Sequence, residues 1–247
     1  MSDQIPKNWR CVGGTHAINE ALKANGKKSK LLILREDYES SQDLKKIFDL
    51  GSRLKIKTNL RHRGQLEKIF PSNQGALLYV EGQPELDLDS LREGPGVVMI
   101  LDGLEDPHNL GAIIRTSWLM GVKGILIPQD RSVQLTPTVH KVASGGVEHV
   151  PVLATGNFEH IVSQLKEMGF WVYGLAAQTK KTIYQQKLPQ KIVLVVGSED
   201  KGMRKTTSRL CDELVELPQI SADASYNASV AAAMGLSECF RQIRAQS

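Results

Sequence analysis

From Val97 onward the chain alternates short, nearly unbroken apolar runs with longer mixed segments, and this alternation is its strongest constraint on folding. VVMIL (97–101), GILIP (124–128) and KIVLVVG (191–197) carry almost no polar residue. Runs that are apolar on both faces belong to strands buried on both sides, the pattern of a parallel sheet. Further strands are predicted near 150–153, at 170–176 and at 213–217. Helices are predicted over 109–120, 136–144, 157–168, 203–210 and 227–244. Strands and helices in alternation give an α/β fold, a parallel sheet with helices on both faces.

Residues 1–80 read as a smaller α/β unit. Helices are expected over 14–24, with Thr15 as N-cap, over 42–50 and over 63–70. Strands are expected at 30–34, 53–58 and 76–80, the middle one an exposed edge. The acidic stretch 81–96 reads as a linker, leaving 97–247 as the second domain. With 247 residues, two modest domains can each bury a core without cross-links. No stretch is apolar enough for a transmembrane helix, and the N-terminal sequence has no signal-peptide or transit-peptide pattern. Cys11, Cys211 and Cys239 are odd in number and far apart, which excludes a disulfide framework and a CxxC zinc site. A reduced, cytoplasmic protein is expected.

Positive charge is concentrated at the N-terminal end. Residues 1–80 hold 15 Lys/Arg against 8 Asp/Glu, although the whole chain is only +4. Arg53, Lys55, Lys57, Arg61 and Arg63 are the densest part of this excess. Such clustering suits a polyanion, because neutralised phosphates release counterions; a solvated basic face is the plainer alternative. Few aromatics interleave with the run, so base stacking is not indicated there.

Three loops follow apolar strands, where open α/β sheets bind ligands. In the first, Asp102–Arg115, Asn109 stands at a helix start and Arg115 lies six residues on, in an otherwise apolar helix. An arginine there needs an anionic ligand or an ion pair with Glu105 or Asp106. The second, Gly197–Met203, has phosphate-loop glycine spacing. However, Met203 and Arg204 replace the required Lys and Ser/Thr, and Glu199 and Asp200 would repel a triphosphate. Tight turns that approach a neutral or cationic cofactor fit better. The third, Leu217–Ser229, places Ser225, Asn227 and Ser229 at alternate positions before the last helix. No His/Cys/Glu set has metal-ligand spacing and no GxSxG elbow occurs.

Taken together and in this order, the three loops resemble the SpoU (TrmH-like) family of the SPOUT superfamily. Its motif D-P-x-N-x-G-x-x-x-R is matched by Asp106, Pro107, Asn109, Gly111 and Arg115. G-x-E-x-x-G is matched by Gly197, Glu199 and Gly202. A third motif near S-L-N-V-S is met by Ser225 to Ser229, with Tyr226 for the usual Leu and Ala228 for the usual Val. The opening GTHAINEAL and the later NQGALLYV resemble an L30-like substrate-binding domain. The whole chain looks most like the bacterial 23S rRNA (guanosine-2′-O-)-methyltransferase branch, with Asn73 standing where that branch has His.

The resemblance implies a deep trefoil knot at the C-terminal end, a homodimer, and S-adenosylmethionine as the methyl donor without a metal. It places Ala176, Gly197, Leu217 and Tyr226 at the cofactor. It makes Asn109, Arg115, Glu199, Ser225 and Asn227 the catalytic set, and RNA the substrate. Arg115 is the family's proposed base for the ribose 2′-hydroxyl. A guanidinium holds its proton above roughly pH 12 unless strongly desolvated, so holding phosphate and stabilising alkoxide is the other role open to it. Asn109 would orient Arg115 or the ribose. Glu199 would fix Arg115 or Asn227, and Ser225 and Asn227 would meet the hydroxyl or its phosphate. The alternatives are a tRNA ribose methyltransferase, an antibiotic-resistance rRNA methylase with the same core, and a non-catalytic RNA-binding protein. A dinucleotide oxidoreductase lacks G-x-G-x-x-G after its first strand.

Overall fold

The computed structural model describes residues 5–6, 8–179, 181–221 and 224–246. The chain begins β1 (Trp9–Gly13), α1 (Thr15–Asn25), β2 (Ser29–Arg35), α2 (Gln42–Arg53), β3 (Lys57–Arg61), α3 (Arg63–Ile69) and β4 (Ala76–Glu81). It continues β5 (Gly96–Asp102), α4 (Pro107–Leu119), β6 (Gly124–Pro128), α5 (Pro137–Ala143), β7 (Val152–Thr155), α6 (Phe158–Glu167) and β8 (Trp171–Leu175). The last elements are β9 (Lys191–Gly197), α7 (Lys205–Ser208), β10 (Glu213–Val215) and α8 (Ala228–Ala245).

Two compact units result. The first joins residues 1–84 to residues 135–149, and the second takes 85–134 and 150–247. The expected division at 80 and 97 missed that α5 packs with β1 and α1. Its cause is non-local. Arg10 on β1 reaches the buried Glu148 with both terminal nitrogens, Nη1 to Oε1 at 2.6 Å and Nη2 to Oε2, and is itself largely covered. Asn25 Nδ2 donates to the same carboxylate at 2.8 Å.

The first unit is a four-stranded sheet in the order β1-β4-β2-β3, antiparallel except for the β2/β3 pair. One face packs Ile18, Leu22, Leu44 and Ile47 of α1 and α2 on Leu32, Leu34 and Leu78. The other packs Leu66 and Phe70 on Leu31, Ile33 and Leu77. The edge strand expected over 53–58 forms instead at Lys57–Arg61. α2 runs through Arg53, and Lys55 turns the chain at φ 57°. Thr15 begins α1 but does not cap it; Gln74 Oε1 accepts from the Thr15 N–H at 2.9 Å.

The second unit holds a fully parallel six-stranded sheet, β10-β8-β9-β5-β6-β7. β5 and β9 pair over seven residues at its centre, and Val98, Ile100, Val193 and Val195 are buried there. The stretch expected as a linker also joins this core, through Leu86, Leu88 and buried Leu91. α8 packs against α4 and β9. Among the described residues no helix is long and apolar enough to cross a membrane.

Candidate active site

The carboxyl ends of β8, β9 and β10 surround a cavity of about 450 Å³. Ala176, Gly197, Leu217 and Tyr226, the four expected cofactor residues, all line it. Leu175, Val196, Met203, Ala228 and Ala231 make much of the rest of the wall apolar. The volume lies in the range of small-molecule and cofactor pockets.

The 197–203 loop closes one side by doubling back. Ser198 and Gly202 exchange both backbone hydrogen bonds, at 3.2 and 2.9 Å. A Cβ on Gly197 would lie 2.2 Å from the Gly202 carbonyl carbon, so this close approach admits only glycine. Just beyond, the fully buried Asp102 carboxylate at the end of β5 accepts from Arg204 N and from Arg204 Nε, both at 2.7 Å. The loop is thereby tied to the centre of the sheet. Neither Asp102 nor Arg204 was among the expected site residues. The two lie 102 residues apart, and no local pattern couples them.

Glu199 is the hub of the polar side. Its Oε1 accepts from Asn109 Nδ2, from Asn227 Nδ2 at 2.9 Å and from Ala228 N at 3.1 Å. The Ala228 N–H is an open donor at the start of α8, so the carboxylate sits where the helix dipole favours negative charge. Asn227 caps that helix by accepting from Ser229 N at 2.9 Å and from Ser229 Oγ at 2.6 Å. On α4, Asp106 is the cap, accepting from His108 N at 2.8 Å, which frees buried Asn109 for Glu199. Three of the five expected catalytic residues therefore form one hydrogen-bonded cluster.

Ser225 lines the cavity and is exposed. Arg115 stands apart. It is exposed on α4, and the ion pair with Glu105 or Asp106 does not form; no partner is present among the described residues. Glu199 fixes Asn227 and Asn109, not Arg115. Tyr226 donates from its hydroxyl to the Pro218 carbonyl at 2.8 Å, which ties its ring to the start of the 217–226 segment. Arg53, Lys55, Lys57, Arg61 and Arg63 are all exposed on the first unit, with Lys57 and Arg61 on its edge strand β3. No group of metal-binding side chains forms among the described residues.

Residues 96–237 match the model of the SpoU rRNA Methylase family. Residues 11–86 match a model described as RNA 2′-O ribose methyltransferase substrate binding. AviRb from Streptomyces viridochromogenes, a SpoU methyltransferase solved with AdoMet, superimposes with a TM-score of 0.82 at 19% identity, over 97% of this chain and 92% of its own. The fold is thus that of a SpoU-type methyltransferase. The chain belongs to the SpoU rRNA methylase family. The 23S rRNA (guanosine-2′-O-)-methyltransferase RlmB of Pseudomonas aeruginosa is 36% identical over 95% of this chain and 97% of its own. A Staphylococcus aureus (strain MSSA476) protein assigned to the TrmH family of tRNA/rRNA methyltransferases is also 36% identical, over 94% and 95%.

Proposed function

We propose that this protein transfers a methyl group from S-adenosylmethionine to a ribose 2′-hydroxyl of RNA, most specifically a guanosine of 23S rRNA. The observation that carries the reading is the single cavity that gathers Ala176, Gly197, Leu217 and Tyr226, with the Glu199 cluster beside it. The residues fit the cofactor chemically. Apolar walls and backbone suit an adenosine, and Glu199 and Asp200 suit a sulfonium cation. When bound, that sulfonium supplies an activated methyl group, so no metal is needed.

The chain's own residues then position the hydroxyl. Glu199 holds Asn109 and Asn227 in fixed orientations, so their remaining polar groups and Ser225 are arranged before substrate arrives. Arg115 holds the phosphate beside the target ribose and stabilises the developing alkoxide. The basic edge of the first unit supplies RNA contacts. Family membership supports a knotted C-terminal segment and an L30-like character for the first unit. A homodimer fits the apolar side chains exposed on the packed helices α4 and α8, Leu119 and Val230. Three free thiols, each with its pKa raised by burial, suit the reducing cytoplasm.

Calorimetry with S-adenosylmethionine, S-adenosylhomocysteine and NAD tests the cofactor, and ribose-methylation mapping of rRNA and tRNA from a deletion strain tests the substrate. Binding of both methyl cofactors and loss of one 23S guanosine modification are expected. Binding of NAD alone, or no loss of ribose methylation, would overturn the reading.

A further inference from the structure

A second cavity, of about 350 Å³, lies wholly within the first unit. Arg35, Arg63 and Lys141 bring three cations to its wall, with Glu67 as the one carboxylate. The remaining wall is the loop Ser72–Gly75. Arg35 and Arg63 each lie beside one carboxylate, and Lys141 has none among the described residues. Arg35 Nη2 donates to Ser40 Oγ at 2.9 Å, while its Nε, 3.3 Å from Asp37 Oδ1, is buried and makes no hydrogen bond. Arg63 pairs with Glu67 at 2.9 Å, but these side chains are 72% and 51% exposed, so the pair is easily exchanged. Lys141 is exposed and has no ion pair among the described residues.

The loop is built rather than loose. Asn73, 2% exposed, donates to the Phe70 carbonyl at 2.9 Å and accepts from Gly75 N at 2.7 Å. Ser72 and Gln74 are held at φ 61° and 57°, a left-handed conformation costly for residues with a Cβ. Gly75, at φ 86°, lets the loop lie on the Arg35 stem, where a Cβ would come within 2.8 Å of Cδ. A backbone loop fixed by a buried side chain thus faces three cations across an open, solvent-accessible cavity.

We propose that this cavity holds one backbone phosphate of the RNA substrate, gripped by Arg35, Arg63 and Lys141; the proposal rests on the RNA methyltransferase reading above. Guanidinium groups match phosphate oxygens in pairs, and the lysine adds a point charge. Lys141 lies outside residues 11–86, the span that matches the substrate-binding family model. It reaches the site because α5 packs with the first unit. This also gives a use to the insertion of residues 135–149 into that unit.

The test is filter binding of a 23S rRNA transcript to the full chain between 50 and 200 mM salt. The proteins are wild type, Lys141→Gln, Lys141→Arg, Arg63→Gln and the Lys141→Gln/Arg63→Gln double variant. S-adenosylmethionine calorimetry serves as the check on folding. The double variant should come nearest to losing the phosphate contact, with the wild-type advantage shrinking by up to about threefold over that salt range, and each single variant should show a smaller part of that change. Lys141→Arg should restore binding. The double variant should lose less than the product of the single losses, because both residues grip one phosphate. Wild-type affinity and slope in Lys141→Gln, or strictly multiplicative losses, would overturn the shared site while leaving the enzyme reading intact. Inorganic phosphate titrated without RNA separates the remaining source. An isotherm abolished by Lys141→Gln, with RNA binding untouched, would make this a free-anion site and overturn the proposal. A wild-type protein that neither binds nor methylates RNA would remove the enzyme reading and this inference with it.

Discussion

At Arg115 two chemical roles separate cleanly. An exposed arginine without a function tolerates lysine. One that grips a phosphate with its planar fork and faces the reacting oxygen does not. Arg115→Lys is expected to reduce single-turnover methyl transfer by about a hundredfold, the scale of one lost transition-state donor. Cofactor affinity and melting temperature should stay near wild type. A near wild-type rate would remove Arg115 from the catalytic set. Glu199 carries a different burden, because Oε1 alone accepts from Asn109, Asn227 and Ala228. Glu199→Gln retains one oxygen but removes the charge that strengthens all three bonds. Cofactor binding should weaken about tenfold and stability should fall by about 1–3 kcal/mol. Unchanged calorimetry and urea midpoints would show that the cluster organises nothing. The residue types of this cluster were legible because three short motifs occur in order. Their mutual hydrogen bonds were not, since Glu199 chose the two asparagines over the arginine only once three loops met.

Elements differ in how openly the sequence announced them. The central strands β5, β6 and β9 were visible because burial on both faces leaves unbroken apolar runs. β1 was missed. Its Arg10 looks like a surface residue until Glu148, 138 positions away, takes its guanidinium. β3 was displaced because Leu54 still closes a helical turn and Lys55 then reverses the chain. The 197–203 loop is an element whose shape depends on one missing side chain. Gly197→Ala would drive a Cβ against the Gly202 carbonyl carbon and the Met203 nitrogen, 2.2 and 2.3 Å away, so the hairpin must open. Cofactor binding is expected to be lost, with about 2–4 kcal/mol of stability. Arg204→Ala, which frees the other end of the loop from Asp102, should weaken cofactor binding less. A Gly197→Ala protein with wild-type affinity would mean that the loop is not the cavity's wall.

The whole molecule should respond to acid through His140. This side chain is 5% exposed, and burial, followed by the charge of Arg10, pushes its pKa down to about 4. The unfolded chain titrates near 6.5. Between these values the unfolded state binds more protons, so stability falls as pH drops through that window, and above it His140 contributes no pH dependence. The loss approaches about 3 kcal/mol at its acid end. Urea unfolding of wild type and His140→Gln from pH 7.5 to 4.5 should give curves that converge as pH falls. Parallel curves would show that the imidazole is solvated.

His140, Lys141 and Glu148 all belong to residues 135–149, which complete a unit begun by residues 1–84. That arrangement sets a timetable for biosynthesis. The ribosome finishes the first sheet, β1 to β4, long before it makes the carboxylate that neutralises Arg10 inside it. A nascent chain stopped near residue 96 would lack both α5, which packs on the edge strand β1, and Glu148, which pairs Arg10. The first unit should therefore gain protease resistance only when about 150 residues have cleared the exit tunnel, when β5, β6 and α4 of the second unit have already emerged. The two units are not made as beads on a string; the earlier one waits for the later to be half written.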